Sequence, residues 1–593
     1  MERSSVESQY KWKVEDIFAS DEEWEKFFKE TEKYLDFKKF EGKLGNIENV
    51  IELFKAQEEA SKRLEKLHLY AHMRHDEDSR VAKYTSMQSR SLSLYVQFSS
   101  AVSFVEPELT ALSDTILKSY ARDRRLSDYD YFFRQLIKGK EHILSASEEK
   151  ILAMGGEVYS QFKEIFGMID NADIKLGSVT DGEGNIINLT HGMYGVILHG
   201  EDRELRKKTF ETYYDAYISL KNTIAATYYG NVKKNVYLSR ARKYASCLEH
   251  ALEGEDVDVI VYKNLLDSVE ESLPSMHRYI RDRKQILRLD EQHMYDIYAP
   301  LVSDAEMKLT YEEACELVIK GLAPLGEEYQ NLLRQGFAEG WVDVYETAGK
   351  RSGAYSTGIF GLHPFVLLNY QPTTHDVFTI AHEMGHSLHT YYSNKNQPYA
   401  KADYRIFVAE VASTVNEVLL LKHVLSTTED KNLKKYLLAY YLDTIRTTLH
   451  RQTMFAEFEY IAHDMVEKGE PLTSDNLSAA YLKLNEKYYG DGILHDWQIA
   501  HEWSRIPHFY TSFYVYKYST GIISAISIAS RILKEGDKAV KDYKAFLSSG
   551  GSDSPVALLK IAGVDLTKRT AFDHAMREFD ETLKQFEELN CIR

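Results

Sequence analysis

The chain has 593 residues, 44% hydrophobic and 28% charged, with 10 Pro and 31 Gly, a balance that excludes a fibrous or disordered protein and calls for more than one lobe. A formal net charge of −18 and the absence of any Lys/Arg block argue against a nucleic-acid partner. Cys247, Cys315 and Cys591 are too few and too far apart for a disulfide framework, and with no apolar signal core and no run of about 20 apolar residues the chain is expected to be soluble, cytoplasmic and without a membrane partner.

From Tyr10 to about Asp170 the pattern is helical. Acidic starts such as Ser20-Asp21-Glu22-Glu23 lead into Trp24, Phe27 and Phe28, and amphipathic runs follow over Ile47 to His68, Ala82 to Phe104 and Glu148 to Phe166. His72 and His75, beside Asp76, Glu77 and Asp78, imitate a metal site, but they lack a defined third ligand and are expected to make polar contacts at a helix end. Near Asp173 the helix gives way. Ile174, Leu176 and Val179, then Ile186, Ile187 and Leu189, flank Asp181-Gly182-Glu183-Gly184 and predict a β-hairpin rather than a nucleotide loop. A boundary near residue 200 would divide an N-terminal helical lobe, 1–200, from a second lobe, 201–593. Most of the 42 Tyr are expected to be packing between helices.

After further helices to about Glu346, Arg351 to Tyr355 and Pro364 to Tyr370 predict two short strands around a Gly-containing turn. A strand beside a metal can pair with the backbone of an extended peptide, which makes Gly353, Ala354 and Tyr355 candidate peptide-binding residues.

The strands lead directly into Thr379-Ile380-Ala381-His382-Glu383-Met384-Gly385-His386-Ser387-Leu388-His389. On a helix, His382 and His386 share one face a turn apart, and Glu383 stands beside them as a base for a metal-activated water. Thr373 is the expected N-cap, with Asp376 in a capping-box-like relation. For the third ligand Glu410 ranks first, a carboxylate inside the apolar run Phe407 to Ser413 that needs a charged partner if buried. His389 ranks second, because three rings of one straight helix would strain to reach one ion. Asn416 and Glu417 could orient the ligands. Further on, His508 and a stripe of Tyr510, Tyr514 and Tyr518, with Tyr516 on another side of the same helix, offer donors for an oxyanion, two or three of the rings being packing.

With these pieces assembled, the chain resembles the oligoendopeptidase F branch of the thimet-oligopeptidase-like zinc metallopeptidases. The resemblance is carried by Arg351 to Tyr355, Leu368-Asn369-Tyr370, His382 to His386, Phe407 to Ser413, Pro507-His508-Phe509-Tyr510 running to Gly521, and the N-terminal Trp12 to Phe18. It implies a mostly α, two-lobed helical shell around a deep channel, with small β-hairpins, one flanking the zinc helix. It implies one Zn²⁺ per chain on His382, His386 and Glu410, His508 and tyrosines on the scissile carbonyl, and cleavage of internal bonds in short unfolded oligopeptides. The wider family's Gly-rich loop has no counterpart in Phe509-Tyr510-Thr511-Ser512, so no tyrosine role is carried over by spacing. The competing reading is a non-catalytic peptide-binding shell with a structural metal. Loss of the base or of a ligand would mark it, and none is lost.

Overall fold

The computed structural model describes residues 1–302, 305 and 307–592. The chain is mostly helical, as expected, with small sheets. The elements that matter below are α1 (Ile47–Glu77), strands β1 (Ser178–Thr180) and β2 (Ile186–Asn188), α2 (Lys221–Ala241), strands β3 (Val342–Asp343), β4 (Tyr355–Thr357) and β5 (Phe365–Leu367), and helices α3 (Thr374–Asn396), α4 (Ile406–Thr427), α5 (Arg451–Glu467) and α6 (Tyr516–Glu535).

The residues group into two compact units, each built from three segments: Met1–Ile143, Met307–Ser426 and Ile528–Val564 in the first, Leu144–Glu306, Thr427–Ser527 and Asp565–Arg593 in the second. Neither ends near residue 200. In the first unit the N-terminal segment is stitched to the β segment by backbone bonds, Lys13 N to Gly340 O at 2.8 Å and Val344 N to Tyr10 O at 3.0 Å. Trp12, Val14, Trp24, Leu64, Leu67, Tyr70 and Met73 share one buried core with Phe365 and Leu367. Apolar contacts of this range are invisible to local pattern, which is why a cut by sequence position fails to describe them.

The sheet order is β3-β5-β4, with β3 parallel and β4 antiparallel to β5. Central β5 is apolar and buried along its whole length, as a strand covered on both faces should be. β4 is the edge. Its register pairs Tyr355 with Leu367, Ser356 with Val366 and Thr357 with Phe365. β4 starts where the predicted strand over 351–355 was to end. Gly353 has φ +84° and open space where a Cβ would stand, so the backbone bends there before it can pair. β3 carries no alternation long enough to read from sequence.

In the second unit β1 and β2 form the predicted antiparallel hairpin around 181–185. Tyr214, Tyr217, Tyr228, Tyr262, Tyr279 and Tyr481 are among the largest fully buried side chains, which accords with tyrosine as packing.

Candidate metal centre and active site

Helix α3 begins where its chemistry requires. Thr373 Oγ1 accepts the Asp376 N–H at 3.2 Å, while Asp376 Oδ2 accepts from Gln371 N at 2.9 Å, reaching past the N-cap's own amide. Helix α4 crosses it closely at Gly385. A Cβ on that glycine would lie 2.6 Å from Ser413 Cα and 2.7 Å from Ala412 O, distances that real Cβ atoms do not show. Asn416 locks the crossing: its Nδ2 donates to Ala381 O at 3.0 Å and its Oδ1 accepts from Tyr329 Oη at 2.9 Å. Gly385→Ala is therefore expected to push the two helices apart, at about 1–3 kcal/mol for an overpacked core. The melting temperature should fall, which calorimetry would read.

The crossing brings three donor atoms together. His382 Nε2 and His386 Nε2 are 3.2 Å apart, and Glu410 Oε2 is 3.3 Å from each. Four ligands at tetrahedral corners with bonds near 2.0–2.1 Å stand about 3.3 Å apart, so the triangle has the dimensions of three corners of a zinc site. Among the described residues it is the one His/Cys/Asp/Glu group with the compactness to hold a metal.

Behind the triangle the ligands are oriented. His382 Nδ1 bonds Glu417 Oε1. A carboxylate only accepts, so the proton sits on Nδ1 and Nε2 is the atom turned towards the triangle. Ser413 Oγ donates to Glu410 Oε2 at 3.1 Å. Burial disfavours charge on His382, but the Glu410 and Glu417 carboxylates outweigh it and hold its pKa well above the ordinary histidine value. Burial likewise opposes the charged form of Glu410 and is overcome by the two imidazoles, which keep the carboxyl far below its usual range. Two ring nitrogens and a carboxylate this close call for a cation between them. Glu383 is buried, and burial is the main cause that raises its carboxyl pKa, with the two imidazoles opposing. A carboxylate with enhanced proton affinity beside the triangle is suited to take a proton.

One expectation needs correcting. Glu410 does not need a partner because it is buried: its side chain is 45% exposed, open on one side while its apolar neighbours Phe407, Val408 and Val411 pack inward. His389, ranked behind Glu410, stays out of the triangle in keeping with that ranking. It is buried, stacks on Tyr404 with centroids 3.7 Å apart, meets Phe546 at 5.4 Å, and is held neutral by burial, its pKa pushed down to about 3. Asn416 acts on the helix crossing rather than on a ligand, whereas Glu417 touches one.

The edge strand adjoins this helix. Ser356 Oγ is 2.8 Å from Ser387 Oγ, one residue past His386. Asn369 Nδ2 donates to the carbonyls of Arg351 at 2.9 Å and Gly353 at 2.8 Å, fixing the bend through Gly353 and Ala354. Tyr355 Oη donates to Asp76 Oδ2 at 2.8 Å, which also faces His72 and Arg351, each at 3.3 Å. The His72/His75 cluster is thus a polar knot at the end of α1, as expected, and the Tyr355 hydroxyl is engaged in it.

In the second unit the predicted helical stripe of tyrosines does not form. Pro507–Tyr510 is a short 3₁₀ turn, and α6 starts only at Tyr516. His508 is exposed. Its Nε2 lies 3.3 Å from Tyr518 Oη, and the Tyr514 and Tyr518 rings stand 6.1 and 5.9 Å from its own. Partial desolvation of the ring by its neighbours, then the Arg451 and Lys163 charges, lower its pKa and favour the neutral form. Tyr510 is buried and stacked on Phe166 at 4.4 Å, and Tyr516 is buried against Tyr262 at 5.3 Å. Both are core residues rather than donors, because burial leaves their hydroxyls nothing to reach in a substrate.

The model of peptidase family M3 matches residues 196–578 and that of oligopeptidase F residues 108–175. The chain belongs to peptidase family M3. This M3 peptidase is 43% identical to Oligopeptidase PepF of Bacillus subtilis (strain 168), over 99% of its own length and 88% of that protein. A crystal structure from Chlamydophila abortus superposes with a TM-score of 0.93 at 36% identity, covering 99% of both chains. Oligoendopeptidase-F from Enterococcus faecium gives 0.74 at 33%, covering 98% of this chain and 100% of that one. Among the described residues of the M3 peptidase, no helix is long and apolar enough to cross a membrane.

Two site features of this peptidase escaped the sequence reading. Ser413, which orients Glu410, lies three residues after it, the i,i+3 spacing that could have flagged it. Gly385 sits inside the motif, yet only the position of α4 shows that its missing side chain is what lets the third donor approach.

Proposed function

We propose that this M3 peptidase is a zinc-dependent endopeptidase that hydrolyses internal bonds of short, unfolded oligopeptides. The observation that supports this most is the triangle of His382, His386 and Glu410 donor atoms with the buried Glu383 carboxyl beside it. Zinc held there would polarise the scissile carbonyl and lower the pKa of a water towards neutrality. Glu383 takes the proton of the attacking water and returns it to the leaving amine. Glu417 and Ser413 hold His382 and Glu410 in place. Neutral His508, with the hydroxyls of Tyr514 and Tyr518, is the set assigned to donate to the developing oxyanion, a role that rests on the family resemblance. The free edge of β4 can pair with a substrate backbone irrespective of its side chains, which favours broad sequence tolerance. Free Cys247, Cys315 and Cys591 suit a reducing cytoplasm as the place of action.

Product mapping by mass spectrometry tests this. An unstructured decapeptide should be cut at internal bonds, and an unfolded full-length protein should survive under the same conditions. Release of single terminal residues, or equal digestion of the protein, would overturn the reading.

A further inference from the structure

Between His508 and α6 the backbone makes a turn that no glycine relieves. Phe513 has φ 55°, in the left-handed region that a residue with a Cβ disfavours. Its ring is buried against His463, 4.6 Å away, and Tyr262, 5.9 Å away. Its N–H donates to Glu459 Oε1 at 3.0 Å.

Glu459 is itself unusual. It is completely buried on α5, with Oε2 lacking a hydrogen-bond partner among the described residues. Burial raises its pKa well above the ordinary glutamate value, against the Phe513 amide that favours the charged form. A carboxyl buried in this way is costly, and an apolar side chain would fill the same space without that cost. What the carboxyl supplies is an acceptor for the amide of Phe513.

The same turn is fastened at neighbouring points. Asn231 Nδ2 on α2 donates to Phe509 O at 3.2 Å, and Asn235 Nδ2, one turn on, to Ser512 Oγ at 2.6 Å. His463 Nδ1 lies 2.8 Å from Glu459 O, and its Nε2 is 3.1 Å from Asn235 Nδ2. Two helices thus grip successive residues of the turn from His508 to Tyr514, and the residue they force into the least favourable conformation immediately precedes Tyr514.

We propose that Glu459 is a positioning residue of this peptidase: by accepting the Phe513 N–H it fixes the left-handed turn that sets Tyr514 against His508. The inference rests on the oxyanion role assigned to those two residues above. Glu459 touches no substrate and acts through the turn. A carboxamide offers the same acceptor oxygen, so Glu459→Gln should preserve the function, whereas Glu459→Leu removes it.

The experiment measures kcat and KM on a short quenched peptide, metal content and melting temperature for Glu459→Gln and Glu459→Leu, each with and without Tyr514→Phe, with His508→Ala alongside. Glu459→Gln is expected to stay within about twofold of wild type. Glu459→Leu should lose about tenfold in kcat with KM and metal unchanged, and little further loss should appear on top of Tyr514→Phe, since both changes act on one group. Should Glu459→Leu fail to fold, Glu459→Met, which also removes the acceptor but fills the space with a more adaptable side chain, is expected to show the same kcat-only loss. Losses that add in the double variant, or wild-type kcat in Glu459→Leu or Glu459→Met, would overturn the positioning role. Wild-type kcat in His508→Ala would instead remove the donor assignment on which it rests.

Discussion

Glu383→Gln is expected to bind one metal per chain and to lose about 10²–10⁴-fold in kcat, the range ascribed to a general base. Glu383 is not one of the three converging donors, so its replacement leaves the His382–His386–Glu410 triangle intact. Glutamine is nearly isosteric and can still hydrogen-bond a water, but it cannot take that water's proton. Because Glu383 is buried and its pKa is raised chiefly by burial, removing its charge relieves rather than creates an uncompensated group. Stability should hold or rise, and KM should change little. Steady-state kinetics with metal analysis on the same sample checks this. A variant with wild-type kcat would mean that another group takes the proton.

Glu410→Ala is expected to act on the metal itself. It removes one of three donors and leaves two imidazole nitrogens facing each other at 3.2 Å, an arrangement that attracts a cation far less than one completed by a carboxylate. In zinc-buffered solution the variant should be recovered largely without metal and with peptide cleavage at background. Its melting temperature without metal should fall modestly below that of metal-free wild type, because the partly exposed carboxylate also pairs with His382 and His386 when no ion is bound. Metal analysis and parallel melts read both quantities. Full metal retention with full activity would show that Glu410 is not a ligand.

How much of this was legible beforehand follows the range of the interactions. Helix α3 and its pair of histidines could be read because a cap, a periodicity of 3.6 and an i,i+4 spacing are local. Glu410 could be picked from its charge within an apolar run, although its side chain is 45% exposed, so that full burial does not apply to it. The tyrosine stripe failed because spacing of four was read through a segment that is not helical. Phe513 interrupts it in a left-handed conformation, and neither glycine nor proline stands there to announce the break. The edge strand was displaced by the same kind of backbone event at Gly353. The compact units do not follow the boundary near residue 200 for a different reason: the packing of Trp12 and Val14 with Phe365 and Leu367 joins residues some 350 positions apart, and no composition shift marks such contacts.

The central claim, one zinc ion on one triangle driving peptide hydrolysis, is tested most directly by titrating zinc into metal-free wild-type protein while following cleavage of an unstructured decapeptide. Activity should be absent at the start, rise in proportion to bound zinc and reach its plateau at one equivalent per chain. Cleavage in the metal-free protein, or a plateau reached only at two equivalents, would contradict it.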